Sequence, residues 1–210
     1  MHFLTDNSRK VFNNLSDYEV MNDFTFVGGS AIAFYLNHRL SEDIDLFTWK
    51  EKIPVEIENL ILILEKKYKI EIVNKSRSYI DLFIDSTKVT FFANNWDSLR
   101  EERKQLLHNI YIAKLPLLCS MKINTLSLRA KYRDYYDLYV LNKEKYSLNE
   151  IYNYALQYIP GITKKIFAMQ IGFIDDIDDE EIDHLSPKYK ISLQEIQKHF
   201  EPQIKALIEA

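Results

Sequence analysis

The chain has 210 residues, 47% of them hydrophobic and 28% charged, with a formal net charge of −4 at pH 7. That length buries one large core or two small ones, and the mild excess of acid argues against a protein that coats nucleic acid non-specifically while leaving room for a local basic groove. No stretch approaches the roughly 18 continuous apolar residues of a membrane span, and the N-terminus lacks a signal layout, so a cytoplasmic protein with no membrane partner is expected.

In chain order, residues 5–22 mix apolar and polar residues at helical spacing and predict an opening helix. Residues 24–27 predict a short strand running into Gly28-Gly29-Ser30, 30–36 a helix and 43–48 a second strand. Pro54 suits the first turn of a helix reaching about 68, and 69–73 predicts a third strand. Residues 79–84 and 87–92 flank Asp85-Ser86 as a hairpin, which pairs Ile84 with Thr87 and puts Asp81 opposite Thr90. Residues 109–113 predict a last strand. After Pro116 the pattern becomes helical, through 117–128, 132–141, 148–159, 163–174 and 193–208. Ser147 and Ser192 are the expected N-caps, the latter in a capping box with Glu195. The expected fold is α/β (α+β): a mixed sheet with flanking helices over 1–114, then a helical bundle over 115–210. The acidic run 175–181 reads as a solvated linker, since it lacks the glycine and ligand alternation of a metal loop. Cys119 lies in an apolar helical run and reads as a small buried hydrophobe in a reducing compartment. The five histidines are too scattered for a zinc site.

The chemistry concentrates where the first strand meets its helix. A helix N-terminus offers unpaired N–H groups and the positive end of a dipole, which suits phosphate, and Gly28-Gly29 before Ser30 makes such an end. Thirteen residues after Ser30 comes Asp43-Ile44-Asp45-Leu46. Strand alternation points Asp43 and Asp45 to one face. Two adjacent carboxylates repel unless a cation joins them, and hard oxygen donors suit Mg²⁺ or Mn²⁺. A phosphate cradle facing a divalent-metal site belongs to phosphoryl or nucleotidyl transfer. Ser30 and the amides around Gly29 are expected to hold the β- and γ-phosphates, while Gly28 and Gly29 also read simply as a tight turn and Ser30 as a helix cap.

The segment from Gly28-Gly29-Ser30-Ala31 through Arg39-Leu40-Ser41-Glu42-Asp43-Ile44-Asp45 resembles the signature of the AbiEii/AbiGii toxin family, within the polymerase-β-like nucleotidyltransferase superfamily. The resemblance implies that Arg39 and Ser41 help to bind nucleotide, with Arg39 either pairing with Asp43 or touching phosphate. It also implies a third carboxylate on a later strand, within a segment like Lys88-Val89-Thr90-Phe91. Thr90 stands there instead, and a threonine hydroxyl is a poor metal ligand and no general base. Asp81, opposite Thr90 across the hairpin, either replaces the missing group or is a plain strand aspartate beside a weakened metal site.

A second cluster runs from Lys122 to Asp137 and resembles the family's downstream motif, a helix lysine, a basic turn and an Arg-Asp-x-x-Asp helix start. The resemblance carries catalytic or nucleotide-contacting roles to Lys122 and Asp137, with Asp134 close behind. Lys122 and Arg129, seven apart, are expected on one helix face. Lys122, Arg129, Lys131 and Arg133, interleaved with Tyr132, Tyr135 and Tyr136, suit phosphates and stacked bases, although tyrosines at helical spacing more often belong to a core. The competing reading is an interhelical salt-bridge network around Lys122, Arg133, Asp134 and Asp137.

Together these imply an NTP and Mg²⁺ (or Mn²⁺) bound between the two modules, with a nucleotide passed to RNA, tRNA foremost, or to a protein hydroxyl. The family resemblance further implies the toxin of a toxin–antitoxin or phage-defence system, with a cognate antitoxin as partner. A catalytically weak nucleotide-binding or regulatory module is the alternative that Thr90 favours. A two-metal nuclease is more remote, because Gly-Gly-Ser before the acidic strand favours a triphosphate.

Overall fold

The computed structural model describes residues 2–174, 177 and 182–209, so the acidic residues of the run 175–181 lie outside the described residues. The chain divides into two compact units, Met1–Tyr35 with Leu40–Lys114, and Leu36–Arg39 with Leu115–Ala210.

The first unit is built on a seven-stranded mixed sheet of order β3-β4-β5-β2-β1-β7-β6. Its strands are β1 (Thr25–Val27), β2 (Ile44–Thr48), β3 (Ile70–Lys75), β4 (Tyr79–Ile84), β5 (Thr87–Ala93), β6 (Arg103–Leu107) and β7 (Ile110–Ala113). The helices are α1 (Asp6–Ser16), α2 (Gly28–Leu36), α3 (Glu56–Leu64) and the single turn α4 (Ser98–Glu101). β1 pairs antiparallel with β2 and parallel with β7, and β2 pairs parallel with β5. One sheet face is apolar and covered, with Ile44, Leu46, Ile80, Leu82, Val89 and Phe91 all buried. The other carries the polar alternation of β2, where the buried and half-buried residues alternate strictly. Phe12 stacks edge-on against Phe26 with ring centres 4.8 Å apart, joining α1 to the sheet.

The hairpin forms as the sequence predicts: Ile84 pairs with Thr87 and Asp81 with Thr90, with Asp85 at φ 53° in the turn. Two elements escape the sequence pattern. The opening helix ends at Ser16 and a 3-10 turn, Glu19–Asp23, follows it. β6 is an edge strand whose polar residues Lys104 and Gln105 are exposed. It therefore lacks the apolar alternation by which a strand is recognised.

The second unit holds α5 (Leu115–Leu128), α6 (Tyr132–Glu144), α7 (Leu148–Tyr158), α8 (Lys164–Gly172) and α9 (Leu193–Glu209). Ser147 caps α7 by accepting from the Glu150 amide, and Glu195 Oε2 accepts from the Ser192 amide at 2.8 Å ahead of α9. Leu117, Leu118, Ile123, Leu138, Ile151, Phe167, Ile196 and Phe200 form the core. Cys119 is buried among them, and burial pushes its thiol up to about 12, as suits an inert core residue. No helix among the described residues is long and apolar enough to cross a membrane.

Candidate active site

In the first unit, β1 delivers the chain into α2 at Gly28, whose φ of 75° lies in the left-handed region. Val27 pairs with Asp45 on β2, and this brings the Asp45 carboxylate over the turn. A Cβ built on Gly28 would sit 2.2 Å from Asp45 Oδ2, so both backbone conformation and carboxylate approach require glycine here. Asp43 and Asp45 are both half-buried. Ser30 is placed inside, 1% exposed, where its hydroxyl bonds to Ser41 Oγ at 2.6 Å and to the Asp43 carbonyl. Ser41 is itself fixed by a backbone bond to the Phe3 carbonyl at 2.9 Å. The two serines thus tie α2 to the loop that carries Asp43, setting the position of the acids from beneath.

Strand register extends the site sideways. Asp45 pairs with Thr90 on β5, and Thr90 pairs with Asp81 on β4. Directly paired residues share a face, so Asp45, Thr90 and Asp81 form one row. The Asp81 carboxylate is already engaged: Thr90 Oγ1 donates to its Oδ1 at 2.9 Å, and Lys88 Nζ lies 3.1 Å from its Oδ2. Burial works to lower Lys88, but its hydrogen bond and charge contact with Asp81 outweigh this, and Tyr79 and Asp43 add to the rise above the usual lysine value. Burial raises the Tyr79 phenol too, and Asp81 raises it further.

The second unit gathers a different set. Asp137 is fully buried and accepts from Arg39 twice, Nε to Oδ1 at 2.8 Å and Nη2 to Oδ2 at 3.0 Å. His38 Nε2 lies 2.7 Å from Asp137 Oδ1, and the imidazole stacks on Tyr136 with centres 5.7 Å apart. Lys122, 6% exposed, donates to Asp134 Oδ1 and Asp137 Oδ2, both at 2.9 Å. Burial alone would raise the Asp137 carboxyl, but Arg39, then Lys122 and His38, hold it well below the usual range. Burial opposes the Lys122 charge, and Asp137 and Asp134 reverse that and raise the amine above its ordinary value. His38 Nδ1 is buried with no hydrogen-bond partner among the described residues.

Several sequence expectations change against this geometry. Arg39 forks Asp137, a partner ninety-eight positions away that sequence spacing does not suggest. Arg129 does not share the setting of Lys122: α5 ends at Leu128, and Arg129 is exposed beyond it while Lys122 is buried. Arg133 sits half-buried in the first turn of α6. His38 and Lys88 were missed. Lys88 had a signal, since it lies two positions before Thr90 and so on the same strand face; His38 had none beyond its place next to Arg39.

As for a metal, the hard oxygens of Asp43 and Asp45 suit Mg²⁺, which is commonly held by one or two carboxylates, substrate phosphates and water. They fit that role beside the Gly28 turn, which the Asp45 carboxylate approaches closely. A three-ligand cage does not form, because no group of three or more His, Cys, Asp or Glu side chains able to hold a metal occurs among the described residues.

The chain resembles known proteins along most of its length. A family model described as "Nucleotidyl transferase AbiEii toxin, Type IV TA system" matches residues 9–209. The uncharacterised protein aq_aa25 of Aquifex aeolicus is 23% identical over 210 residues, covering 100% of each chain. Among solved structures, JHP933 from Helicobacter pylori has a TM-score of 0.50 at 14% identity, with 98% of this chain and 95% of that one covered. MenT4, the nucleotidyltransferase toxin Rv2826c of Mycobacterium tuberculosis H37Rv, has a TM-score of 0.50 at 9% identity, covering 98% and 86%. At such identities the likeness is one of fold, and that fold is nucleotidyltransferase-like.

Proposed function

We propose that this chain, which belongs to the AbiEii nucleotidyl transferase toxin family of type IV toxin–antitoxin systems, transfers a nucleotide from an NTP to an RNA hydroxyl, with tRNA as the acceptor. The observation that carries the reading is the Asp45 carboxylate held against Gly28 at the head of α2. The reading is supported because an acid of this kind, able to bind a hard cation, then lies beside backbone amides and a helix dipole that favour phosphate. Asp43 and Asp45 would hold Mg²⁺ or Mn²⁺, which when bound neutralises charge developing on the transferring phosphoryl group. Gly28 and Gly29 leave the phosphates access to the amides, while Ser30 and Ser41 fix the loop. Lys122 is the proposed cation for the triphosphate, oriented by Asp137 and Asp134, with Arg39 securing Asp137. Arg129 and Arg133 are the proposed contacts to RNA phosphates. A cognate antitoxin and a role in phage defence complete the proposed setting.

A protein hydroxyl is the alternative acceptor. A second reading, a nucleotide-binding module with weak catalysis, is favoured by Thr90, whose hydroxyl donates to Asp81 where the superfamily pattern expects a carboxylate. The deciding experiment incubates the protein with each α-labelled NTP, Mg²⁺ and total tRNA. The expected result is label in RNA from one preferred NTP, at least about 100-fold slower in Asp45→Asn, the scale of losing one electrostatic contact to the transition state. Label in protein alone moves the acceptor, and nucleotide binding without transfer to either supports the second reading.

A further inference from the structure

The sheet face that holds Asp45 also carries a cation beside Asp81. Asp81 on β4 is 6% exposed, and a buried carboxylate needs both hydrogen bonds and a compensating charge. Thr90 supplies a hydrogen bond at 2.9 Å but no charge. The charge comes from Lys88, whose Nζ lies 3.1 Å from Asp81 Oδ2. Lys88 pairs directly with Phe83 on β4, so Asp81 is its diagonal neighbour on that face, within reach of a long side chain. Lys88 lies two positions before Thr90 on the same face of β5, and Thr90 pairs with Asp45, so the lysine shares the face of the candidate metal acid. Lys88 is only half-buried, which leaves part of the ammonium open to a ligand on this face.

A second divalent ion on the Asp81 side would have to displace this ammonium or sit beside it against repulsion. We propose that Lys88 stands in for a second divalent ion: its ammonium satisfies Asp81 and presents positive charge to the phosphoryl oxygens, so that the site takes one divalent ion, at Asp43 and Asp45. Thr90 is then no defect in a two-ion site. Its hydroxyl fixes the Asp81 carboxylate in the orientation that receives Lys88. The inference rests on the metal reading proposed above, and counting ions separates the two.

The measurement is Mn²⁺ stoichiometry, read by electron paramagnetic resonance with Mn²⁺ alone and with a non-hydrolysable α,β-methylene NTP. One Mn²⁺ per chain is expected, lost in Asp45→Asn and retained in Lys88→Arg. Lys88→Met frees Asp81 and is expected to admit a second Mn²⁺. The double variant Lys88→Met/Asp81→Asn, which removes both members of the pair and leaves no uncompensated buried charge, returns the count to one. Two Mn²⁺ on the unaltered chain, or one on Lys88→Met, overturns the assignment to Lys88 while leaving the Asp43–Asp45 site intact. No Mn²⁺ on the unaltered chain overturns the metal reading and this inference with it.

Discussion

The two charged regions of this protein are built on opposite principles. On the sheet side, Asp43 and Asp45 are half-buried, and the Asp45 carboxylate packs against the Gly28 turn. In the helical unit, Asp137 is sealed from water and receives Arg39, His38 and Lys122 together. In the proposed reading, the first arrangement receives an outside cation. The second has already neutralised its own charge, and breaking such a buried set from one side is strongly destabilising because the remaining charges stay buried. Exposure therefore separates acids poised for a ligand from acids whose first task is to hold the fold. Lys122, which the sequence presents as a ligand-contacting lysine with little structural weight, carries structural weight, since two of its N–H groups are committed to aspartates.

Substitutions sharpen the contrast. Asp137→Asn leaves Arg39 and Lys122 short of a counter-charge and is expected to lower stability by about 3–5 kcal/mol in urea unfolding. A loss under about 1 kcal/mol would show the cluster relaxing toward water. Asp45→Asn is the mirror case: transfer drops as stated above while the unfolding midpoint stays near that of the unaltered chain. A large stability loss there would make Asp45 a structural acid and erase the distinction. Gly28→Ala combines both effects. The φ of 75° and the 2.2 Å approach to Asp45 should together lower stability by about 1–3 kcal/mol and displace the carboxylate, so that transfer falls at least tenfold. A variant with unchanged transfer would mean that Asp45 is free to move without consequence.

The smallest effect is on pH dependence. Asp137 is held well below its ordinary value, so its stabilisation is complete above the unfolded carboxyl value of about 3.9 and is lost as pH falls below it through the folded value. Lys122 is raised, so its contribution is complete below about 10.4 and is lost only as pH climbs above that through its folded value. Between those limits the cluster gives stability that is flat with pH. Urea unfolding at pH 7 and pH 3 should show an acid-side loss that is smaller in Asp137→Asn, and equal losses in the two proteins would assign the acid sensitivity elsewhere.

Local chemistry determined a good deal from sequence. The Gly28-Gly29-Ser30 turn, the acid pair on β2, the Asp81–Thr90 register and the Ser147 and Ser192 caps all follow from contacts within about a dozen residues, where alternation, turn length and capping leave few choices. β6 was illegible because an exposed edge strand needs no apolar alternation. What only the tertiary structure decided lies at long range. The parallel β2–β5 pairing sets Asp45 beside Thr90, and the loop ahead of β2 sends Arg39 and His38 to Asp137, ninety-eight and ninety-nine positions away. Nothing in a residue's near neighbours encodes such a partner. It is chosen by the order in which strands and helices pack, because burying a carboxylate is tolerable only where the assembled core supplies the opposite charge.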